Sequence, residues 1–318
     1  MPISFASQNQ LPIRCVHPPH MPSCVCPRGG DVSLHLMLRH LVSLLLLTCP
    51  LARAQTQHAT PDAPAQPALT SSQMQPLNPD LPTLFIVGDS TARNKEDLGW
   101  GDHLAPLFDT SRINVANRAR AGRSSRTFIN EGGWDAVFKE LKPGDFVLIQ
   151  MGHNDGGDLG GPKPRGTLKG IGNESQDVPQ TSGPLSGQTE TVHTFGWYLR
   201  KYIADTRAHQ ATPVLLTLTV RNIWTPDGSG TPRIERDMRS GDSTYDSEIR
   251  AVGAAEHVPV VDMATVEADR LEALGPAKTA ALFPIDHTHT SPEGAELNAR
   301  AVTEALRRAK SPIAAFLN

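Results

Sequence analysis

The chain has 318 residues and a formal net charge of −3. A chain of this length can bury its own hydrophobic core, so it needs no disulfide framework to fold. The slightly acidic balance argues against nucleic acid as a partner, because proteins that bind nucleic acid carry basic surfaces.

The N-terminal region has the pattern of a secretory signal peptide. A short basic start after Met37 precedes an apolar run at 41–47, which is too short to span a bilayer. The small-x-small triplet at 52–54 then marks a cleavage site before Gln55. We expect residues 1–36 to be an over-called extension and residues 37–54 to be a cleaved signal peptide. The mature protein would be secreted or periplasmic, with no membrane attachment.

The mature chain would begin with a linker. Residues 55–82 are rich in Pro, Gln, Ala and Ser without an apolar period, which favours disorder. We expect a single catalytic domain over 83–318. Removing residues 1–54 takes away all four cysteines, four basic residues and one acidic residue, and leaves a net charge of −6.

Apolar runs and helical patterns alternate along this domain. The apolar runs are near-continuous, as in strands that are covered on both faces; they lie at 83–88, 113–117, 145–152, 213–220 and 258–262. Helical patterns lie at 134–142, 194–209, 242–257 and 291–310. The alternation predicts an α/β fold with a parallel sheet between two helical layers, and ligands in such folds bind at the carboxyl ends of the strands. The long polar insertion at 156–193 indicates a functional loop.

Three candidate catalytic groups follow the first three strands. Ser90 stands after "TLFIVGD", where a serine becomes a nucleophile if a base and oxyanion donors are near. Asn154 follows the third strand and carries an N–H₂ suited to an oxyanion. Gly122 follows the second strand and offers a backbone N–H at close approach. Taken alone, each has a plain alternative as a helix cap or a turn residue.

The stretch "FPIDHTHTSPEGAEL" at 283–297 supplies a candidate base. Asp286 can fold back on the ring of His289 at i,i+3, whereas the side chains of Asp286 and His287 diverge at i,i+1. The helix start at Ser291-Pro292 would hold the loop in place. A metal site is the alternative, with Asp286, His287 and His289 as ligands and further ligands from elsewhere in the chain, such as Asp89 or His153.

Two other classes of function are weighed against a serine hydrolase. Metal-dependent phosphoesterases use Gly-Asp-x-His and Gly-Asn-His-Asp stretches, but here the first lacks its histidine and the second has its inner pair inverted, at 88–91 and 152–155. A non-catalytic carbohydrate-binding module would not need the serine, asparagine and Asp-x-x-His set. Both readings are therefore less favoured.

The four blocks in this order resemble the SGNH (GDSL) hydrolase family. The resemblance implies a flavodoxin-like three-layer α/β/α sandwich with a mostly parallel five-stranded sheet. It implies Ser90 as nucleophile, His289 as general base and Asp286 as its orienting partner. The oxyanion hole would be the N–H groups of Ser90 and Gly122 with the Asn154 side chain. No cofactor or metal is implied.

A closer resemblance is to the rhamnogalacturonan acetylesterases. It rests on "FIVGDSTARN", "GWGDHL", "NRARAGRSSRTFINEG", "VLIQMGHNDGG" and "LFPIDHTHTSPEGAE". It implies a monomeric enzyme that removes acetyl groups from an acetylated pectic polysaccharide; deacetylation of xylan or another acetylated sugar is the alternative. With a polymer of that kind, the basic cluster around Gly122 is expected to contact galacturonate carboxylates. The cluster consists of Arg118, Arg120, Arg123 and Arg126.

Overall fold

A computed structural model describes residues 76–95 and 97–318. The expectations for the extension at 1–36, the signal peptide at 37–54 and the linker up to residue 75 lie outside the described residues. The last part of the predicted linker does lie within them, and it contacts the domain. The Asn78 N–H donates to Oδ1 of Asn114 at 3.0 Å, and Nζ of Lys142 donates to the Leu81 carbonyl at 2.7 Å. Contacts of the domain therefore begin before residue 83.

The centre of the domain is a five-stranded parallel sheet. Its strands are β1 (Thr83–Gly88), β2 (Asn114–Asn117), β3 (Phe146–Gln150), β6 (Thr212–Leu216) and β11 (Val260–Val261). They lie in the order β11-β6-β3-β1-β2, and every pair is parallel. β1 is buried along its whole length between β2 and β3. The carboxyl ends of β1, β2 and β3 are therefore neighbours at one edge of the sheet.

Helices cover both faces of the sheet. On one face, Phe85 and Val87 of β1 pack in a hydrophobic cluster with residues of α1 (Ser125–Asn130), α2 (Gly133–Glu140), α3 (Phe195–Ala208) and α4 (Tyr245–Ala255). On the other face, Leu84 and Ile86 pack with residues of α5 (Met263–Leu274) and α7 (Pro292–Arg308). The alternation along β1 is that of a strand with two buried faces. The predicted three-layer α/β/α sandwich is confirmed.

The remaining short elements complete the chain. They are α6 (Pro276–Ala281) and three 3₁₀ helices at Trp100–His103, Ala105–Leu107 and Pro312–Phe316. None of the helices in the described part of the chain is long and apolar enough to cross a bilayer.

The strand predicted at 213–220 is wrong in its second half. β6 ends at Leu216, and after Thr217, whose N–H still donates to the Val261 carbonyl of β11 at 3.1 Å, the chain bonds to side chains instead of to a neighbouring strand. The Leu218 N–H donates to Asp246 at 2.8 Å and the Val220 N–H donates to Glu267 at 2.9 Å. Residues 217–223 therefore leave the sheet and run along its carboxyl edge, where they contact His153 and the loop that carries His289.

The insertion at 156–193 has a structure of its own. Strands β4 (Ser175–Pro179) and β5 (Thr189–His193) form an antiparallel hairpin in its second half. Two more small antiparallel pairs follow β6: β7 (Trp224–Pro226) with β8 (Pro232–Ile234), and β9 (Arg239–Ser240) with β10 (Ser243–Thr244). All of these hairpins are additions to the central sheet.

Candidate active site

Ser90 lies in a tight turn directly after β1. The side chain of Asp89 forms this turn, since its Oδ1 accepts hydrogen bonds from the backbone N–H and the hydroxyl of Thr91 at 2.8 and 2.9 Å. The Asp89 carbonyl also accepts from the Arg93 N–H at 3.1 Å. Asp89 is fully buried and Ser90 is 9% exposed. The turn therefore leaves Ser90 at the carboxyl edge of the sheet, and the buried Asp89 side chain holds the turn in place.

The loop before α7 brings a histidine to this hydroxyl. Nε2 of His289 lies 2.9 Å from Oγ of Ser90, and Nδ1 of His289 lies 2.7 Å from Oδ2 of Asp286. With the Nδ1 proton donated to the carboxylate, Nε2 offers its lone pair to the serine hydroxyl. The three side chains that the sequence selected for nucleophilic catalysis thus form one continuous hydrogen-bonded chain.

Asp286 holds the loop as well as the ring. Its Oδ1 accepts from the backbone N–H groups of Thr288 and His289 at 2.7 and 2.8 Å. Partial burial acts to raise the pKa of Asp286, but the hydrogen bonds from the ring and the two N–H groups outweigh it and lower the pKa to about 2. Asp286 is therefore a carboxylate at any pH near neutrality. Ser291 caps α7 by accepting from the Gly294 N–H at 3.2 Å, which fixes the end of the loop.

Gly122 and Asn154 lie in the loops after the two strands that flank β1. The side-chain N–H₂ of Asn154 donates to the Arg123 carbonyl at 2.9 Å, which ties the loop after β3 to the residue that follows Gly122. Gly122 has φ +77°, a left-handed conformation that residues with a side chain adopt only with strain. The sheet order places both loops at the same edge as Ser90.

A buried carboxylate–imidazole contact joins the residue before Ser90 to the residue before Asn154. Nδ1 of His153 is 3.4 Å from Oδ2 of Asp89, and its Nε2 is 3.1 Å from the Thr219 carbonyl. Burial acts to raise the pKa of Asp89, but His153 and the hydrogen bonds from Thr91 outweigh it and hold the pKa below its ordinary value. This contact was not predicted, because Asp89 and His153 were considered only as further metal ligands; the neighbouring positions of β1 and β3 bring them together.

Gln150, the last residue of β3, is a further group that sequence reasoning missed. Its Oε1 accepts from Nε1 of Trp100 at 2.9 Å and from the Thr91 hydroxyl at 3.0 Å, and its Nε2 donates to the Thr217 carbonyl at 3.1 Å. Gln150 is fully buried. A polar residue that ends an apolar run was the available signal, because a buried amide needs partners. The network holds the Ser90 turn against β3 and β6.

All four arginines predicted to contact substrate have partners within the protein. Arg118 forms two hydrogen bonds with the Glu140 carboxylate, at 3.2 and 2.7 Å. Nε of Arg123 donates to the Glu131 carboxylate at 2.7 Å. Nη1 of Arg120 donates to the Glu131 carbonyl at 3.2 Å, with the guanidinium over the ring of Phe128. A substrate carboxylate would have to compete with these partners.

The expectation that Arg126 contacts substrate is wrong for this structure. Its side chain is 1% exposed and lies 3.0 Å from the Glu190 carboxylate. Its guanidinium also donates to the carbonyls of Gly166 at 2.6 Å and Pro164 at 2.9 Å. Arg126 therefore ties α1 to the insertion at 156–193, and buried charges of this kind need their internal partners.

The described residues do not contain the ligand cluster that the metal alternative requires. Within residues 76–95 and 97–318, no group of three or more His, Cys, Asp or Glu side chains is placed to hold a metal ion. His287 is exposed, and its carbonyl accepts from the Asn222 N–H at 2.7 Å. His153 and Asp89, the other suggested ligands, are paired with each other as described above.

The family follows from a comparison of the sequence with known protein families. Residues 86–297 match the GDSL-like lipase/acylhydrolase family, and this span contains Ser90, Gly122, Asn154, Asp286 and His289. The chain belongs to this family. It is therefore an enzyme of the SGNH (GDSL) carboxylic ester hydrolase type, with the fold that the family resemblance implied.

Two curated relatives are similar over most of the chain. The rhamnogalacturonan acetylesterase of Emericella nidulans is 32% identical over 245 residues, which cover 75% of this chain and 90% of the relative. The rhamnogalacturonan acetylesterase RhgT of Bacillus subtilis is 28% identical over 249 residues, which cover 72% of this chain and 91% of the relative.

A solved structure shares the fold. The crystal structure of protein YxiM from Bacillus subtilis superimposes with a TM-score of 0.54 at 24% identity. The match covers 73% of this chain, and the chain spans 58% of the length of that protein.

Proposed function

We propose that this GDSL hydrolase is a serine esterase that removes O-acetyl groups from a pectic polysaccharide of the rhamnogalacturonan type. The observation that carries the proposal is the hydrogen-bonded chain from Ser90 through His289 to Asp286. The two curated relatives described above are named for this activity, which supports the choice of substrate.

In the first half of the reaction, the Ser90 oxygen attacks the acetyl carbonyl. His289 takes the hydroxyl proton on Nε2, and Asp286 stabilises the resulting imidazolium across the 2.7 Å contact at Nδ1. The carbonyl oxygen becomes an oxyanion, for which the N–H groups of Ser90 and Gly122 and the amide of Asn154 are the proposed donors. Collapse of this intermediate breaks the ester bond. His289 returns the proton to the sugar oxygen as the sugar leaves, and the acetyl group stays on Ser90.

In the second half, water replaces the sugar. His289 removes a proton from the water as the water oxygen attacks the acetyl-Ser90 carbonyl, and the same donors hold the second oxyanion. Breakage of the bond to Ser90 returns the proton to the serine oxygen and releases acetic acid, which ionises to acetate. No redox step is involved, and the proton balance uses only His289.

The test is acetate release from a panel of acetylated substrates by the wild type and Ser90→Ala. The panel contains acetylated rhamnogalacturonan, acetylated xylan and the small ester 4-nitrophenyl acetate. We expect the highest kcat/KM on rhamnogalacturonan, and a loss of roughly 10³-fold or more in Ser90→Ala on every substrate. Faster release from xylan would favour the alternative substrate, and activity that disappears with EDTA would favour a metal-dependent hydrolase.

We also propose that the enzyme is exported. The signal-peptide pattern at 37–54 supports this, as does a mature chain without cysteine. Mass spectrometry of the mature protein is expected to find Gln55 at the N-terminus. Recovery of chains that retain residues before Met37 would contradict the proposed start and cleavage sites together.

A further inference from the structure

A cavity lies beyond the carboxyl end of β6. It has a volume of about 240 Å³ and is lined by two segments, 218–223 after β6 and 235–239 between β8 and β10. The first segment contacts the catalytic loop, since the Asn222 N–H donates to the His287 carbonyl at 2.7 Å. On its other side, the Thr219 carbonyl contacts His153, next to Asn154. One wall of the cavity is therefore joined by hydrogen bonds to the catalytic loop and to the residue before Asn154.

Arg221 is the lining residue that distinguishes this cavity. Its side chain is half-buried, and its Nε is shielded from solvent without a hydrogen-bond acceptor. Among the described residues, its guanidinium donates no hydrogen bond, although Asp89, Asp286 and Glu235 lie within electrostatic range. Because Nε is closed to solvent, a ligand in the cavity would contact the guanidinium through its two terminal NH₂ groups, which also have no hydrogen-bond acceptor among the described residues.

The other cations near the site differ from Arg221. Arg118, Arg120 and Arg123 hold partners within the protein, as described above. Within the cavity, Arg236 forms ion pairs with carboxylates of α5, at 2.9 Å to Asp269. Arg221 is therefore the lining arginine that combines partial burial, an unfilled donor and contact of its segment with the catalytic loop.

We propose that Arg221 binds the carboxylate of a uronic acid residue of the substrate. A guanidinium presents two parallel N–H donors that match the two oxygens of a carboxylate, whereas an amide or hydroxyl of a neutral sugar uses only one of them. Arg221, rather than the basic cluster around Gly122, then gives the enzyme its preference for acidic polysaccharides. This inference rests on the proposed function, because it assumes a pectic substrate.

The experiment compares one acetylated rhamnogalacturonan oligosaccharide in two forms, with free carboxylates and with methyl-esterified carboxylates. For Arg221→Gln, we expect KM on the free form to rise about 10–100-fold with kcat little changed, since one charge-assisted contact is lost. KM on the methyl ester and on 4-nitrophenyl acetate should not change. Arg221→Lys keeps the positive charge but lacks the two parallel N–H donors, so its KM on the free form should lie between those of the wild type and Arg221→Gln. Arg300→Gln, on the exposed face of α7, is the matched control and should behave as wild type on both forms.

A second measurement does not depend on the variants folding. In the wild type, KM on the free form should rise with salt concentration, and KM on the methyl ester should not. Equal losses on both forms in Arg221→Gln would show that Arg221 only positions the catalytic loop, and would overturn the inference. So would an unchanged KM on the free form. If the wild type releases no acetate from the acidic oligosaccharide, the proposed function and the inference both fail. Release that does not depend on Arg221 overturns the inference alone.

Discussion

The ring of His153 lies 3.4 Å from the carboxylate of Asp89, and neither side chain reaches solvent to any extent, at 3% and 0% exposed. Asp89 directly precedes Ser90, and His153 directly precedes Asn154. The pair therefore joins the turn that carries the proposed nucleophile to the loop that carries the proposed oxyanion donor. This buried contact would therefore hold two catalytic groups in position at once.

Removal of one partner of this pair should harm both stability and catalysis. His153→Ala leaves the Asp89 carboxylate buried without its imidazole partner, so we expect a loss of about 3 kcal/mol in the free energy of unfolding. The kcat of His153→Ala should be at least tenfold lower than that of the wild type, because Ser90 and Asn154 lose the contact that joins their loops. Urea unfolding and steady-state kinetics measure the two effects. His103→Ala, in which the lost ring binds only the Asp97 carbonyl among described residues, is the control and should change neither by much.

The coupling between the two residues has its own signature. The double variant Asp89→Asn/His153→Gln should lose less stability than the two single variants added together. Because the pKa of Asp89 is lowered in the folded state, its contribution to stability is present above pH 4 and is lost as pH falls through the folded pKa. Additive single effects, or a wild type and Asp89→Asn with the same acid unfolding profile, would contradict the pairing.

The amide of Asn154 should act on the transition state and not on the fold. An oxyanion donor contributes roughly 3 kcal/mol, so Asn154→Ala should reduce kcat on the order of 10²–10³-fold with KM nearly unchanged. Thermal unfolding should show a Tm close to that of wild type. Asn173→Ala, at an exposed asparagine of the insertion, is the matched control. A rise in KM without a fall in kcat would assign Asn154 to substrate binding instead.

The two histidines of the catalytic loop should differ sharply. His289→Ala removes the base and should reduce kcat by about 10³-fold or more. His287→Ala should retain most of the activity, because its side chain is exposed and the loop contacts its backbone carbonyl. The measurement is kcat/KM on 4-nitrophenyl acetate, a substrate too small to report on the polymer groove. Equal losses would reopen the metal alternative.

Glu267 should make the free energy of unfolding depend on pH between about 4.5 and 8, a higher pH range than that of the Asp89 effect. It is fully buried, and burial raises its pKa to about 8 against the hydrogen bonds from the Val220 N–H and Asn298. The folded chain then keeps a proton that the unfolded chain loses, so stability falls as pH rises from about 4.5 to 8. Glu267→Gln cannot ionise and should gain about 1–3 kcal/mol over wild type between pH 5 and pH 8.

Thermal unfolding at these two pH values measures the effect of Glu267. A gain of 1 kcal/mol corresponds to about 2–4 °C in Tm for a domain of this size. Glu174→Gln, at an exposed position before β4, should show no such difference. A Glu267→Gln variant whose Tm moves in parallel with wild type at both pH values would contradict the raised pKa.

The local features of this protein were readable from its sequence. The near-continuous apolar runs identified all five strands of the sheet, because strands buried on both faces need apolar side chains at every position. The spacing of Asp286 and His289 indicated their contact, since i,i+3 in a turn brings two side chains together. The helices α1, α5 and α6 were missed. α1 and α6 have six residues each, which is too short for a helical period, although Ser124 and Thr127 form a capping box at the start of α1. α5 buries the polar Glu267 among its apolar residues, which interrupts the period.

The long-range pairings were not readable from the sequence. The sequence around Arg126 does not show that its guanidinium is paired, and the sequence around Arg221 does not show that its guanidinium has no hydrogen-bond acceptor among the described residues. The difference depends on whether a carboxylate that is distant in the sequence, such as Glu190, packs against the side chain. The pairing of Asp89 with His153 likewise depends on β1 and β3 being neighbours. Electrostatic roles are set by tertiary proximity and burial, which charge patterns along a chain do not report.

The most direct test of the account is to trap the acyl group on Ser90. The enzyme is mixed with 4-nitrophenyl acetate, quenched in acid within milliseconds, digested and analysed by mass spectrometry. We expect an acetyl group on the peptide that contains Ser90 in the wild type, and neither acetylation nor turnover in Ser90→Ala. Turnover that persists in Ser90→Ala, or an acetyl group found on another residue in the wild type, would contradict Ser90 as the nucleophile.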